Sequence, residues 1–464
     1  MNKGNNREAI FPLYAYSGPT DGTYRIDGET FSVGEDFRTR ARFAEYRRAG
    51  FNILLFQGND PYCGEEWESS QTKLNLDNAE SEGLEAIIFD KRLTDLCFKE
   101  KIIGDRQNFA DFDELVSFAE NCVKDYRKHP AFYGLQLRDE PPCAFLNSIG
   151  YVYRAIKKVI PEAFVQVNLL PMNKSAIKSF PETKDGTVES RYTAYLERFL
   201  DETGADYILY DNYPFLNENG HKYIRPDHFA GFITAEKVVK QRNISFYFVA
   251  QTCSMNLNGK TKMRKPSEGD MFWQINVLLG FGIRQIAYFT YWRKQVNSSC
   301  GEFFPDDGST FISQNGTKNP IYDVMAKLHE KLQKFAPTYF RFSFEKCGTF
   351  VKSERLKEYV PELSTKMTAI SDILLLSGDG LFVSELKAED GSFMYSFVNV
   401  NDPDESANET VKFGFSVNGD YEKENIFVID DGKACFSEDN RYELNAGRGI
   451  FIILQQKEGK TDLC

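Results

Sequence analysis

The chain has 464 residues, 42% hydrophobic and 27% charged, a composition that excludes global disorder and supports a full buried core. Lys and Arg number 56 against 68 Asp and Glu, a formal net charge of −12, so a polyanion is repelled on average and nucleic acid or an anionic membrane is an unfavoured partner. The length suits two or three domains, or one large barrel with an added module.

Nine cysteines lie scattered at 63, 97, 122, 143, 253, 300, 347, 435 and 464, with no CxxC pair. They read as reduced thiols, not as a disulfide framework. The first residues, MNKGNNREAIFPLYAY, carry no basic-then-apolar leader, and no run approaches the roughly 18 apolar residues of a membrane helix. The sequence as it stands is expected to be cytoplasmic; removal of an export signal would leave the same picture for a secreted or periplasmic protein.

In chain order, short apolar runs recur at Ile10–Tyr16, Asn52–Gln57, Glu85–Phe89, Phe132–Leu137, Phe164–Leu169, Tyr207–Tyr210, Ser245–Ala250 and Gln285–Tyr291. Helical periodicity fills the intervals at Asp36–Ala49, Phe109–Tyr126, Leu146–Ile160, Tyr192–Leu200, Ala235–Gln241, Asp270–Leu279 and Pro320–Phe335. Strands buried on both faces and alternating with helices predict a parallel sheet. Eight units, without a GxGxxG after the first strand, predict a closed (β/α)8 TIM barrel over 8–337.

Beyond about Pro337 the pattern becomes short alternating strands at Asp372–Leu376, Leu381–Lys387, Phe393–Asn399, Thr410–Phe415, Asn425–Ile429 and Gly449–Leu454. Turn signals such as Glu389–Asp390–Gly391 separate them. A C-terminal antiparallel β-sandwich is expected over 338–464, supporting the barrel.

In such a barrel the chemistry lies at the C-terminal ends of the strands. Read in order, those ends offer Tyr16, Gln57, Asp90, Asp139–Glu140, Asn168, Asp211–Asn212–Tyr213, Gln251 and Trp292, with Glu302 in the loop beyond. Carboxylates and amides hydrogen-bond hydroxyls, and aromatic faces stack on sugar rings. A glycoside or oligosaccharide is therefore the expected partner, and no cofactor is expected.

The segment HPAFYGLQLRDEPP (129–142) runs an apolar strand into two acids and two prolines. In an extended chain neighbouring side chains face opposite ways, so one acid aims at the substrate. Glu140 has the longer reach and is the expected general acid; Asp139 orients it, binds Arg138, or caps the next helix. Glu302 and then Asp211 are the expected second carboxylate, with Asp90 third. Tyr16, Gln57, Asp139, Asn168, Asn212, Tyr213, Gln251 and Trp292 are the expected substrate ligands. The histidines, at 129, 221, 228 and 329, form no HxH or HExxH motif, and no His-rich metal site is expected. A metal-dependent hydrolase using Asp90, Asp139, Glu140 and Asp211 is a rival on the same barrel.

The strand rhythm, HPAFYGLQLRDEP, YDNYP (210–214), FWQINVLLGFG (272–282), YFTYW (288–292) and the terminal β-module together resemble glycoside hydrolases of the retaining (β/α)8 superfamily, in general look its β-galactosidase-like branch. The resemblance implies a Glu acid/base closing an Asn-Glu pair at strand 4, and a Glu nucleophile ending strand 7. Here Asp139–Glu140 keeps the Glu and replaces the Asn. Strand 7 ends in Gln251, with no Glu before the loop Thr252–Lys265. That departure leaves the nucleophile unassigned and raises a second rival, an inactive carbohydrate-binding pseudoenzyme.

Overall fold

The computed structural model describes residues 10–457 apart from 27–28, 57–60, 105–107, 219, 258–259, 294–301, 305–306, 365, 405–408 and 430–439. It is a mixed α/β protein with parallel and antiparallel sheets. Eight parallel strands run β1 (Leu13–Ala15), β2 (Ile53–Leu55), β3 (Glu85–Ile88), β4 (Phe132–Asp139), β5 (Phe164–Asn168), β6 (Tyr207–Asp211), β7 (Ser245–Gln251) and β8 (Gln285–Phe289). Between them, and after β8, come α1 (Arg40–Arg48), α2 (Gln71–Ser81), α3 (Phe112–Val123), α4 (Leu146–Val159), α5 (Val188–Thr203), α6 (His228–Arg242), α7 (Glu268–Gly280) and α8 (Ile321–Tyr339).

The strands form two sheets, ordered β2-β3-β4-β5 and β1-β8-β7-β6. The sheets meet at both edges. Leu169, just past β5, bridges Tyr210 of β6, and its N–H donates to the Leu209 carbonyl at 2.8 Å. At the other edge the Asn52 N–H donates to the Leu13 carbonyl at 3.1 Å, while its side chain accepts from Leu13 N–H at 2.9 Å. Neighbours thus follow sequence order from β1 to β8, and β8 pairs again with β1.

Local chemistry sets the helix ends. Asp111 caps α3 through Glu114 N–H, and Thr187 caps α5, which stops at left-handed Gly204. Ser267 and Asp270 cap α7 reciprocally. This helix is buried from Asp270 to Gly280, since it lies between the parallel strands and the C-terminal sheets. Helix α2 was not expected from periodicity: QTKLNLDNAES is polar but for Leu74, Leu76 and Ala79, and its start rests on the Ser70 cap.

The C-terminal strands are β9 (Phe342–Phe350), β10 (Ile370–Ser377), β11 (Leu381–Ala388), β12 (Phe393–Asn399), β13 (Thr410–Val417), β14 (Tyr421–Phe427), β15 (Arg441–Asn445) and β16 (Gly449–Gln456). They make two antiparallel sheets, β9-β11-β12-β16-β14 and β10-β13-β15. Helix α8 runs through Pro337 to Tyr339, so the change of pattern expected near Pro337 falls inside its last turn. The sheets pack on α7 and α8: Trp273 donates to the Val400 carbonyl at 3.1 Å, and Phe335 meets Phe451 at 5.2 Å.

A five-stranded antiparallel sheet, unforeseen in the sequence, caps the C-terminal ends of β6 to β8. It uses Phe215–Glu218, His221–Ile224, Met255–Leu257, Lys260–Met263 and Glu302–Phe303. Each segment is two to four residues long, too short to show a period of its own. The cysteines at 63, 97, 122, 143, 253 and 347 are free thiols. Among the described residues no helix is long and apolar enough to cross a membrane.

Candidate active site

The strand ends converge on four residues: Asp139, Glu140, Asn168 and Asp211. A register shift in β4 sets them up. Gln136 pairs with Gln166 of β5, yet Asp139 pairs with Asn168, so three residues of β4 span two of β5. The extra residue is a bulge, and it reverses which side chains face inward beyond it. Asp139 thereby shares the face of Asn168, and Arg138 turns out to stack on Phe98, 3.4 Å from its ring centroid. Arg138 stacks on this ring while the neighbouring Asp139 charge still acts on it.

The rule that only one of two adjacent acids can aim inward is corrected at Glu140. Its backbone is left-handed, with φ 45°, which breaks the strand alternation just past Asp139. The Glu140 N–H donates to the Asn168 carbonyl at 2.7 Å, and its side chain helps hold the Asp211 carboxyl down. Ser17, beyond β1, is also left-handed at φ 55°. Strained conformations of this kind persist where the surroundings over-determine them.

Asn168 is only 1% exposed, and its Nδ2 donates to Asp139 Oδ1 at 2.9 Å and to Asp211 Oδ2 at 3.1 Å. Tyr213 donates its hydroxyl to the same Asp211 oxygen at 3.1 Å, and its ring stacks on Phe289 at 5.5 Å. Burial, and then the charge of Asp139, push the Asp211 carboxyl up to about 6, against the hydrogen bonds from Asn168, Glu140 and Tyr213 that hold it down. Tyr16 accepts from Gln166 Nε2 at 2.9 Å in the layer below, and burial beside Asp139 keeps its phenol protonated.

The structure separates other expected site residues from this cluster. Gln251 was expected as a substrate ligand, which is corrected: it is fully buried and spent on backbone. Its Oε1 accepts from Phe215 N–H at 3.0 Å, and its Nε2 faces the carbonyls of Phe215, Cys253 and Arg264 at 3.3, 3.3 and 3.1 Å. Trp292 was expected as a stacking platform, and this too is corrected. Its ring is buried against Phe37 at 4.8 Å and under the Arg42 guanidinium, where the chain after β8 runs on beside Tyr16 and Ser17. Asn212 is buried with its amide beside Gly231 of α6, on the helix side of β6, and so is corrected as a substrate ligand.

Asp90 is wholly buried, held by Arg92 at 2.6 Å and by the Tyr126 hydroxyl at 2.8 Å. The four-carboxylate metal set expected of Asp90, Asp139, Glu140 and Asp211 therefore does not assemble. Among the described residues no three His, Cys, Asp or Glu side chains are grouped to hold a metal. Gln57 lies outside the described residues. The backbone of Glu302 pairs with Leu257 in the rim sheet, and its side chain lies outside them.

The residue that sequence reasoning placed too low is Asn168, which links both acids. Its signal was present in its position at the end of β5, but its importance depends on the β4 bulge.

No family model matches the sequence, and no curated protein matches it. Among solved structures the chain is similar to Ruminococcus gnavus β-glucuronidase, at 11% identity and TM-score 0.43, over 69% of this chain and 50% of that one. It is similar to the β-galactosidase of the psychrophilic Marinomonas ef1, at 11% identity and TM-score 0.43, over 66% of this chain and 60% of the other. A glucosidase from Croceicoccus marinus is matched at 10% identity and TM-score 0.41, over 97% and 98% of the two chains. The chain spans half the length of the glucuronidase.

Proposed function

We propose that this chain is a glycoside hydrolase whose chemistry takes place where β4, β5 and β6 end, with Glu140 as general acid. The observation that carries the reading is the cluster at the ends of β4, β5 and β6, where Asn168 links Asp139 to Asp211 and burial with the Asp139 charge pushes the Asp211 carboxyl up to about 6. A carboxyl that still holds its proton near neutrality can protonate a glycosidic oxygen. Asp139 and Asn168 beside it offer the acceptor and the fixed geometry that a sugar hydroxyl needs. We read the ring of eight strands as a closed (β/α)8 barrel, residues 8–337, and the sheets of 338–464 as a β-sandwich that supports it. An oligosaccharide or glycoside is the partner.

Retaining glycosidases hold their two carboxyls roughly 5 Å apart, and inverting ones hold them roughly 6.5–9.5 Å apart. Asp211 is held by Asn168 and Tyr213 beside the acids of β4. We assign it as the proton partner of Glu140 and give the second carboxylate to Glu302, whose backbone lies in the rim sheet over the strand ends. The position that carries the nucleophile in the resembled superfamily is filled by Gln251, which favours a second reading: a sugar-binding protein without turnover.

The test is hydrolysis of a panel of aryl glycosides and oligosaccharides by the wild type, Glu140→Gln and Glu302→Gln. Loss of turnover on the order of a hundred-fold or more in each variant, with the fold intact, is expected. Full activity in Glu140→Gln would overturn its role. Binding without cleavage in the wild type would establish the second reading.

A further inference from the structure

The polar atoms around Asn168 do not balance. Both hydrogens of its Nδ2 are spent on Asp139 and Asp211. The Tyr213 hydroxyl is spent on Asp211, and Gln166 Nε2 on Tyr16. What is left over includes three amide oxygens, beside the hydroxyls of Tyr14 and Tyr16. Asn168 Oδ1, Gln166 Oε1 and Gln136 Oε1 are buried without a hydrogen-bond partner, and all three side chains are at least 97% buried. Asn168 is the telling one, because its amide sits between the two carboxylates.

Charge is unbalanced in the same direction. Three carboxyl groups, those of Asp139, Glu140 and Asp211, meet at this corner, and Asp139 and Glu140 are exposed. Arg138, the nearest base in sequence, feels the Asp139 charge but keeps its guanidinium stacked on Phe98. Unmade acceptors in a buried setting cost free energy until a donor reaches them.

Resting on the hydrolase reading above, we infer that the ligand of this mouth carries a protonated amine: an amino sugar, seated against Asp139 with Asn168 and Asp211 behind it. An ammonium brings three donors and no acceptor, and its charge strengthens each contact. A neutral sugar hydroxyl brings an acceptor with every donor and leaves the charge uncompensated. Tyr213, stacked on Phe289 at the same corner, adds an aromatic wall suited to a cation.

The experiment is calorimetric titration of the full chain with methyl glucosides in matched sets: 2-amino-2-deoxy, its N-acetyl derivative, the parent 2-hydroxy compound, and the 6-amino-6-deoxy isomer. At least one amine is expected to bind about ten-fold or more tighter than its neutral counterparts, the effect of one charge-assisted contact. That ratio should fall toward unity as pH rises through the amine's own pKa, and in Asp139→Asn checked for an unchanged unfolding midpoint. Equal or tighter binding of the neutral members, or a ratio indifferent to both changes, would overturn the inference. The readout is binding, so the two proposals part cleanly. Amine preference without cleavage of any glycoside would sustain this inference and sink the hydrolase, whereas cleavage of neutral glycosides with no amine preference would do the reverse.

Discussion

Asn168 Nδ2 stands 3.1 Å from Asp211 Oδ2, and this contact, with those from Tyr213 and Glu140, is what permits a carboxylate at a position only 6% exposed. The contacts do not fully offset burial and the charge of Asp139, since Asp211 titrates near 6 and not at its ordinary 3.8. A carboxyl whose pKa is raised on folding favours the folded state below its unfolded pKa. That advantage is lost as pH rises from about 4 through 6. A shift of about two units is worth about 3 kcal/mol. The variant Asp211→Asn should therefore gain stability relative to wild type between pH 4.5 and pH 7.5, by about 2–3 kcal/mol in urea unfolding. An identical difference at the two pH values would show that Asp211 is ordinarily solvated.

The left-handed backbone at Glu140 gives a separate prediction. A side chain in that region costs on the order of 1 kcal/mol that glycine does not incur. Glu140→Gly should consequently be more stable than Glu140→Ala by about 1 kcal/mol, although glycine in an ordinary strand would be the weaker of the two. Both should lose activity, so the comparison reads the backbone apart from the chemistry. Chemical denaturation of the pair is sufficient.

Much of this arrangement was open to inspection in the sequence, and the part that was not has a common cause. Strands buried on both faces must be continuously apolar, which is why NILLF and YILY marked β2 and β6 to within a residue or two. The acids at Asp139, Glu140 and Asp211 stood out for the same reason, as polar residues ending apolar runs. Their coupling through Asn168 was hidden, because it requires the register between β4 and β5, and no glycine or proline marks the bulge at 136–138. Being at a strand end also fixes height in the ring but not direction. Trp292 and Asn212 sit at strand ends and point away from the mouth.

The junction between the strand ring and the C-terminal sheets depends on a buried ion triad. Arg264, 3% exposed, takes both oxygens of Asp402 at 2.6 and 2.9 Å and also Asp270 of α7 at 2.9 Å. Removing Arg264 leaves Asp270 and Asp402 buried without their cation, which costs about 3–5 kcal/mol. Arg264→Leu should lower unfolding stability by that amount, and Asp402→Ala, which leaves the Arg264–Asp270 pair, by less. The double variant Arg264→Leu/Asp402→Leu, which removes charge on both sides, should cost less than the sum of its single variants. Additive losses would mean the pair is not coupled.

Gln251 supplies the sharpest contrast with the resembled hydrolases, because restoring a Glu there is the obvious repair. The geometry argues against it. The Nε2 of Gln251 faces three backbone carbonyls, and its Oε1 accepts a single N–H. A carboxylate in its place would present an acceptor to three acceptors in a site with no exposure, and burying an unpaired charge is far costlier than losing a neutral hydrogen bond. Gln251→Glu should be destabilised by about 3 kcal/mol or more, with a loss that deepens as pH rises and the new carboxyl ionises. It should gain no turnover on any glycoside. A Gln251→Glu protein as stable as wild type, or one that acquires activity, would show that β7 can present a nucleophile after all.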